Sequence, residues 1–155
     1  MVSTISFCII INLIILTTDS KYAIINLMNI NEKPKFEIEF YEDIDGNSEI
    51  YDFIETLRIK SATSKDARIQ YRQVSLYLEL LSKNGTNLPD DITKHIQDEI
   101  WELRPGRNRV LYFFFKDNKY ILLSQFVKKT QKTPTKEIKK AKALMNDYIK
   151  RFDNK

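Results

Sequence analysis

The chain is poor in the residues from which most enzyme sites are built. Of its 155 residues one is cysteine, Cys8, and one is histidine, His95. A single thiol excludes an internal disulfide framework and a cysteine-rich zinc site. A single imidazole argues against a histidine metal cluster and against a histidine-dependent hydrolytic triad. Three glycines and four prolines rule out collagen-like and low-complexity classes, and no glycine-rich phosphate loop is present. No run is apolar for the ~20 residues that a membrane-spanning helix needs. The best candidate, Ile5 to Leu16, is interrupted by Ser6 and Asn12, and no Lys or Arg precedes Lys21, so it also lacks the basic start of a signal peptide. These absences predict no metal, no cofactor and no membrane partner. Scarce cysteine is compatible with a reducing cytoplasm.

What is present suits one folded domain. Hydrophobic residues make up 43% of the chain and charged residues 30%, and the length fits a single core. The net charge of +4 conceals a division. Met28 to Leu103 carries 9 Lys+Arg and 16 Asp+Glu, a net of −7; Arg104 to Lys155 carries 15 and 4, a net of +11. So basic a half is the electrostatic footprint of a polyanion binder. Residues 1–27 carry only Asp19 and Lys21, and the composition changes abruptly at Met28. The expectation is that 1–27 is a leader, upstream sequence read in frame, and that 28–155 is the working domain.

Periodicity predicts an α+β fold. Phe36 to Phe40 alternates apolar and acidic, as a half-buried strand does. Gly46, Asn47 and Ser48 prepare a helix start, and Ile50, Phe53, Ile54 and Leu57 then recur at helical spacing. Ala67 to Leu81 repeats that spacing through Ile69, Val74, Tyr77, Leu78 and Leu81, and Asn84-Gly85 ends it. Ile100 to Leu103, Arg109 to Phe115 and Tyr120 to Val127 read as strands, and Thr135 to Phe152 as a last helix. The expected order is β-α-α-β-β-β-α around an antiparallel sheet. His95 is assigned to a polar loop or short helix. Trp101, Tyr112 and Phe113 to Phe115 are expected to pack, with base stacking the alternative for Trp101.

The hairpin organises the cations. With Asp117-Asn118 as a two-residue turn, Lys116 pairs with Lys119, Arg109 lies opposite Phe126 and Arg107 opposite Lys128. Alternation then puts Arg107, Arg109 and Lys128 on one face. Opposed cations repel unless compensated, and three compensators are open: a phosphate, an acidic partner protein, or Glu102 from the neighbouring strand. Beyond the strand, Lys128, Lys129, Thr130, Gln131, Lys132 and Thr133 form a loop of ammonium, hydroxyl and amide donors without an acid, suited to phosphates. Thr135, Lys136 and Glu137 begin a helix whose free N–H groups favour anions.

Three segments together, Trp101-Glu102-Leu103-Arg104-Pro105-Gly106, Arg109 to Phe114 and Phe126 to Pro134 (FVKKTQKTP), resemble the HigB-like toxins, the phage-derived branch of the RelE/ParE superfamily. The strand, acidic turn and helix of Phe36 to Leu57 are similar to that branch as well, so the resemblance covers Met28 to Phe152. It implies a RelE-like single domain, a small antiparallel sheet packed with an N-terminal helix pair and a C-terminal helix. It also implies a toxin of a type II toxin–antitoxin pair that cleaves messenger RNA, usually on the ribosome. No metal is needed, because the RNA's own 2′-hydroxyl attacks the adjacent phosphate. By position Arg109, Arg104, Lys128 and Lys129 correspond to catalytic residues, and Arg107, Lys132, Thr130, Gln131 and Lys136 are the expected RNA contacts. The implied partners are messenger RNA and a nearby-encoded helix-turn-helix antitoxin. This chain has Ile100 and Glu102 where the best-known ribosome-dependent members carry lysines. The alternative from another class is a non-enzymatic superfamily member that poisons a protein target such as DNA gyrase.

Overall fold

The computed structural model describes residues 33–153, and the expected boundary at Met28 lies outside them. The order is β1 (Glu37–Phe40), α1 (Glu49–Lys60), α2 (Lys65–Asn84), β2 (Thr93–Gln97), β3 (Ile100–Leu103), β4 (Asn108–Phe115), β5 (Lys119–Val127) and α3 (Thr135–Phe152). Both hairpin helices start on serine caps. Ser48 Oγ accepts from the Tyr51 N–H and Ser64 Oγ from the Ala67 N–H, filling donors that a first turn leaves unpaired. Gly85 ends α2 at φ +58°. A Cβ there would meet the Tyr120 hydroxyl at 2.7 Å and the Phe36 ring at 2.9 Å, so both backbone and space require glycine.

The five strands are ordered β1-β5-β4-β3-β2. β2 to β5 form an antiparallel meander, whereas β1 pairs β5 in parallel, Glu37 beside Lys119 through Phe40 beside Leu122. The sheet is therefore antiparallel with one parallel edge. β2 is a strand where the sequence reading has a polar loop or short helix around His95. Its alternation is masked by Lys94 and His95, which are exposed on this edge, and Thr93 is recruited by tertiary contacts, sharing a hydrogen bond with the Tyr112 hydroxyl at 2.6 Å.

The two faces of the sheet hold different layers. Ile100, Leu111, Phe113, Ile121 and Leu123 pack against Ala141, Met145 and Tyr148 of α3. The alternate residues of β4 point the other way. Asn108 donates to Gln70 Oε1 of α2 at 2.9 Å, and Tyr112 meets Tyr120 edge to face. Phe114, expected inside, is 48% exposed, and Ile69 of α2 is 46% exposed. No helix among the described residues is long and apolar enough to cross a membrane.

The hairpin register contains two departures that cancel. Phe115, not Lys116, pairs with Lys119, so the loop is Lys116-Asp117-Asn118, with φ +61° and +55° at the last two. A bulge beside Leu111 and Tyr112 then adds a residue on β5 and restores Arg109 opposite Phe126. The Lys128 N–H donates to the Arg107 carbonyl at 2.9 Å, which keeps the expected pairing at the cationic end.

Candidate nucleic-acid interface

At that end the connection from β3 to β4 is a tight turn, closed by the Asn108 N–H donating to the Pro105 carbonyl at 3.0 Å. Gly106 has φ +58° and Arg107 does not share it, which matches a type II′ arrangement. The turn takes Arg107 out of strand alternation. Its guanidinium crosses to α2 and binds Asp66 Oδ2 at 2.9 Å, with both side chains exposed. Arg107 therefore does not share a face with Arg109, and the expected convergence of Arg107, Arg109 and Lys128 is corrected: strand alternation stops at Asn108.

Arg109 and Arg104 do converge, on Glu102. Glu102 is 2% exposed at the centre of β3. Its Oε1 accepts from Arg104 Nε at 3.0 Å and lies 3.5 Å from Arg109 Nε. Its Oε2 accepts from the Thr133 hydroxyl at 2.6 Å. Glu102, one of the three compensators open to the sequence, thus lies against both guanidiniums. Burying such a carboxylate is tolerated because each oxygen is occupied and the charge is paired.

Arg109 is 7% exposed. Its Nη1 donates to the Gly106 and Asn108 carbonyls at 2.8 and 2.7 Å. Its Nε faces Glu102 at ion-pair distance without a hydrogen bond, and Nη2 has no acceptor among the described residues. Burial lowers the pKa of this guanidinium, the Glu102 charge opposes that shift and Arg104 adds to it; an arginine remains charged throughout. Arg104, partly exposed, also donates through Nη1 to the Asp90 carbonyl at 3.0 Å.

The lysine loop is the reverse case. Lys128, Lys129, Thr130, Gln131 and Lys132 are all exposed. Lys128, Lys129 and Lys132 form no ion pair with a described residue. Within the loop the Thr130 hydroxyl donates to the Lys132 carbonyl at 2.7 Å. The loop is held at both ends, by the Lys128–Arg107 backbone bond and by Thr133 on Glu102. α3 follows with Pro134 at its N-cap and no side-chain cap. Lys136 projects into solvent beside Glu137 at 3.6 Å.

Sequence reasoning missed Thr133 as an anchor. A threonine before proline at a helix start reads as a cap, and only the fold shows its hydroxyl going to a carboxylate 31 residues away. Asn108, 1% exposed and bonded to Gln70, was equally hidden, because its partner lies on α2. His95 Nε2 is engaged with the Asp98 carbonyl, and its ring meets Trp101 edge to face at 5.2 Å, so the one imidazole lies on the outer strand. No three His, Cys, Asp or Glu side chains cluster as metal ligands among the described residues.

Comparison with known families matches the chain to the phage-derived Gp49-like proteins (DUF891) over residues 60–146. The match runs from the end of α1 into α3 and includes the arginine pair, Glu102 and the whole lysine loop. No curated protein matches the chain. With more than half of its length matched, the chain belongs to the phage-derived Gp49-like family, a member of the RelE/toxin-like superfamily.

Proposed function

We propose that this protein is the toxin of a type II toxin–antitoxin pair and acts as an endoribonuclease on messenger RNA, in the manner of the HigB-like branch. One observation carries the reading: lysines without an ion-pair partner among the described residues, on a loop anchored to a fixed, half-neutralised arginine pair. Ribonucleolysis of this kind needs strand positioning, stabilisation of charge on the phosphate and proton movement. The 2′-hydroxyl oxygen gives up its proton to solvent and attacks the adjacent phosphorus, the bond to the 5′-oxygen breaks as that oxygen takes up a proton, and a cyclic phosphate and a 5′-hydroxyl result. Arg109 offers Nη2 to the developing charge, a task suited to a planar guanidinium. Arg104 supports the same phosphate. Lys128 or Lys129 assists proton transfer at the leaving oxygen. Lys132, Thr130, Gln131, Lys136 and Arg107 hold the flanking strand.

The partner in this reading is a helix-turn-helix antitoxin encoded nearby, with an acidic segment that covers the cation face. The test is induced expression followed by mapping of 5′ ends on cellular RNA. The expected result is cut transcripts with the protein and none with Arg109→Lys. Growth arrest with intact transcripts would overturn the ribonuclease reading and favour a poisoned protein target such as DNA gyrase.

A further inference from the structure

We propose that Glu102 is the positioning residue of this site, setting the spacing between the Arg104–Arg109 pair and the Lys128–Lys132 loop. The inference deepens the ribonuclease reading and rests on it for its kinetic readout. Its geometry is independent. Glu102 joins the arginine pair to the end of the loop: Oε1 serves the two guanidiniums and Oε2 accepts from Thr133, the residue that follows Lys132. The other end of the loop is tied by a backbone bond, from the Lys128 N–H to the Arg107 carbonyl.

An acid beside a phosphate site repels its substrate unless something cancels it. Here two arginines flank one carboxylate, so the cluster keeps a net single positive charge while both guanidiniums are oriented. Arg109 shows the consequence. Two carbonyls fix Nη1 and the buried Nε faces Glu102 without a hydrogen bond, so Nη2 is the nitrogen with neither an acceptor nor a facing charge among the described residues. Removing the carboxylate frees the guanidinium plane to rotate and releases the loop. Both Glu102 oxygens are already engaged, which suits orientation and not proton transfer: a general base would first have to leave Arg104 or Thr133.

The test uses the full chain and three variants, Thr133→Val, Thr133→Ser and Glu102→Gln, each checked for folding by thermal melting. Two readouts are taken: cleavage of a short messenger RNA, free and on purified ribosomes, and binding of a 2′-O-methyl RNA oligonucleotide that cannot be cut. Thr133→Val removes only the loop tether and should lower kcat about tenfold, with little change in KM; Thr133→Ser should restore it. Glu102→Gln should cost on the order of 100-fold, the scale of a misplaced catalytic group, with an unchanged shape of the pH–rate profile. Should Glu102→Gln fail to fold, the two Thr133 variants decide alone.

If wild type cleaves and the Thr133→Val and Glu102→Gln variants match it, the positioning role falls and the ribonuclease reading stands. Loss of the acid limb of the pH profile in Glu102→Gln would also overturn it, in favour of a base. If wild type binds the uncuttable RNA but does not cleave, the ribonuclease reading falls. Glu102 is then judged on binding: several-fold weakening in Thr133→Val, restored in Thr133→Ser, supports it, and equal binding overturns it. A wild type that neither binds nor cleaves overturns both.

Discussion

The arginine pair and the lysine loop carry the same sign of charge and lie at the same end of the β4–β5 hairpin, yet they are built in opposite ways. Arg109 is 7% exposed, bonded to two carbonyls and backed by a buried acid. The loop lysines are exposed and unpaired among the described residues. A planar guanidinium loses little entropy when fixed and directs donors at set angles; an ammonium on a flexible stem is a movable point charge. In the proposed reading the difference separates two tasks on one anionic strand, fixed geometry at the reacting phosphate and adaptable attraction along the backbone.

That division breaks most visibly at Arg109. Arg109→Lys keeps the charge and loses the fork, and cleavage should fall on the order of 10²–10³-fold in single-turnover assays while the melting curve moves little. Arg109→Ala should in addition destabilise the fold by about 3–5 kcal/mol, because a buried carboxylate loses a partner; denaturant titration measures it. The lysine loop should respond the other way, in affinity and not in stability. Replacing Lys128, Lys129 and Lys132 by alanine should leave stability within about 0.5 kcal/mol. The same triple variant should flatten the slope of log affinity against log salt by about 2, at ~0.7 for each single-strand phosphate no longer neutralised. Arg107 sharpens the boundary between the two groups. Its pair with Asp66 is exposed, so Arg107→Ala should cost no more than about 1 kcal/mol and reduce RNA affinity less than the triple lysine variant.

The smallest effect is a carboxylate control away from the site. Asp43 is held below the ordinary aspartate pKa, first by the Asn47 backbone N–H and then by the Asn47 side chain. A depressed folded value means that its contribution is present above the unfolded pKa and is lost as pH falls through the folded one. An NMR titration should place the Asp43 midpoint below that of a free aspartate, and Asn47→Ala, which removes the side-chain amide and keeps the backbone N–H, should move it part of the way back up.

Much of the fold was legible because it is local. Helical spacing, the Ser48 cap and the Gly85 stop mark α1 and α2, and α3 runs over the predicted Thr135 to Phe152, whereas the Ser64 cap of α2 was not read from the sequence. Strand β2 was not legible, because an exposed edge strand has no buried stripe to impose alternation and its pairing comes from β3. The parallel place of β1 was hidden for the same reason: neighbours across a sheet are chosen by the packing of the helix hairpin between β1 and β2, not by the strand's own residues. Within the site, the basic character of Arg104 to Lys136 was readable, and Glu102 was readable as one compensator of three. The swing of Arg107 was not, because one positive φ at Gly106 redirects a side chain that alternation places elsewhere.

The amino-acid order by itself determined that the chain makes a small α+β domain, that its charge is divided, and that its cations far outnumber its one thiol and one imidazole. Composition and short-range periodicity decide these, and neither depends on which elements meet. Tertiary structure alone decided which cations are free. Arg104, Arg107 and Arg109 are equivalent in the sequence, but the folded chain gives two of them to Glu102 and one to Asp66, and leaves Lys128, Lys129 and Lys132 without a described partner. Charge neutralisation depends on distances of a few ångströms between residues up to 41 positions apart, and only packing sets those distances.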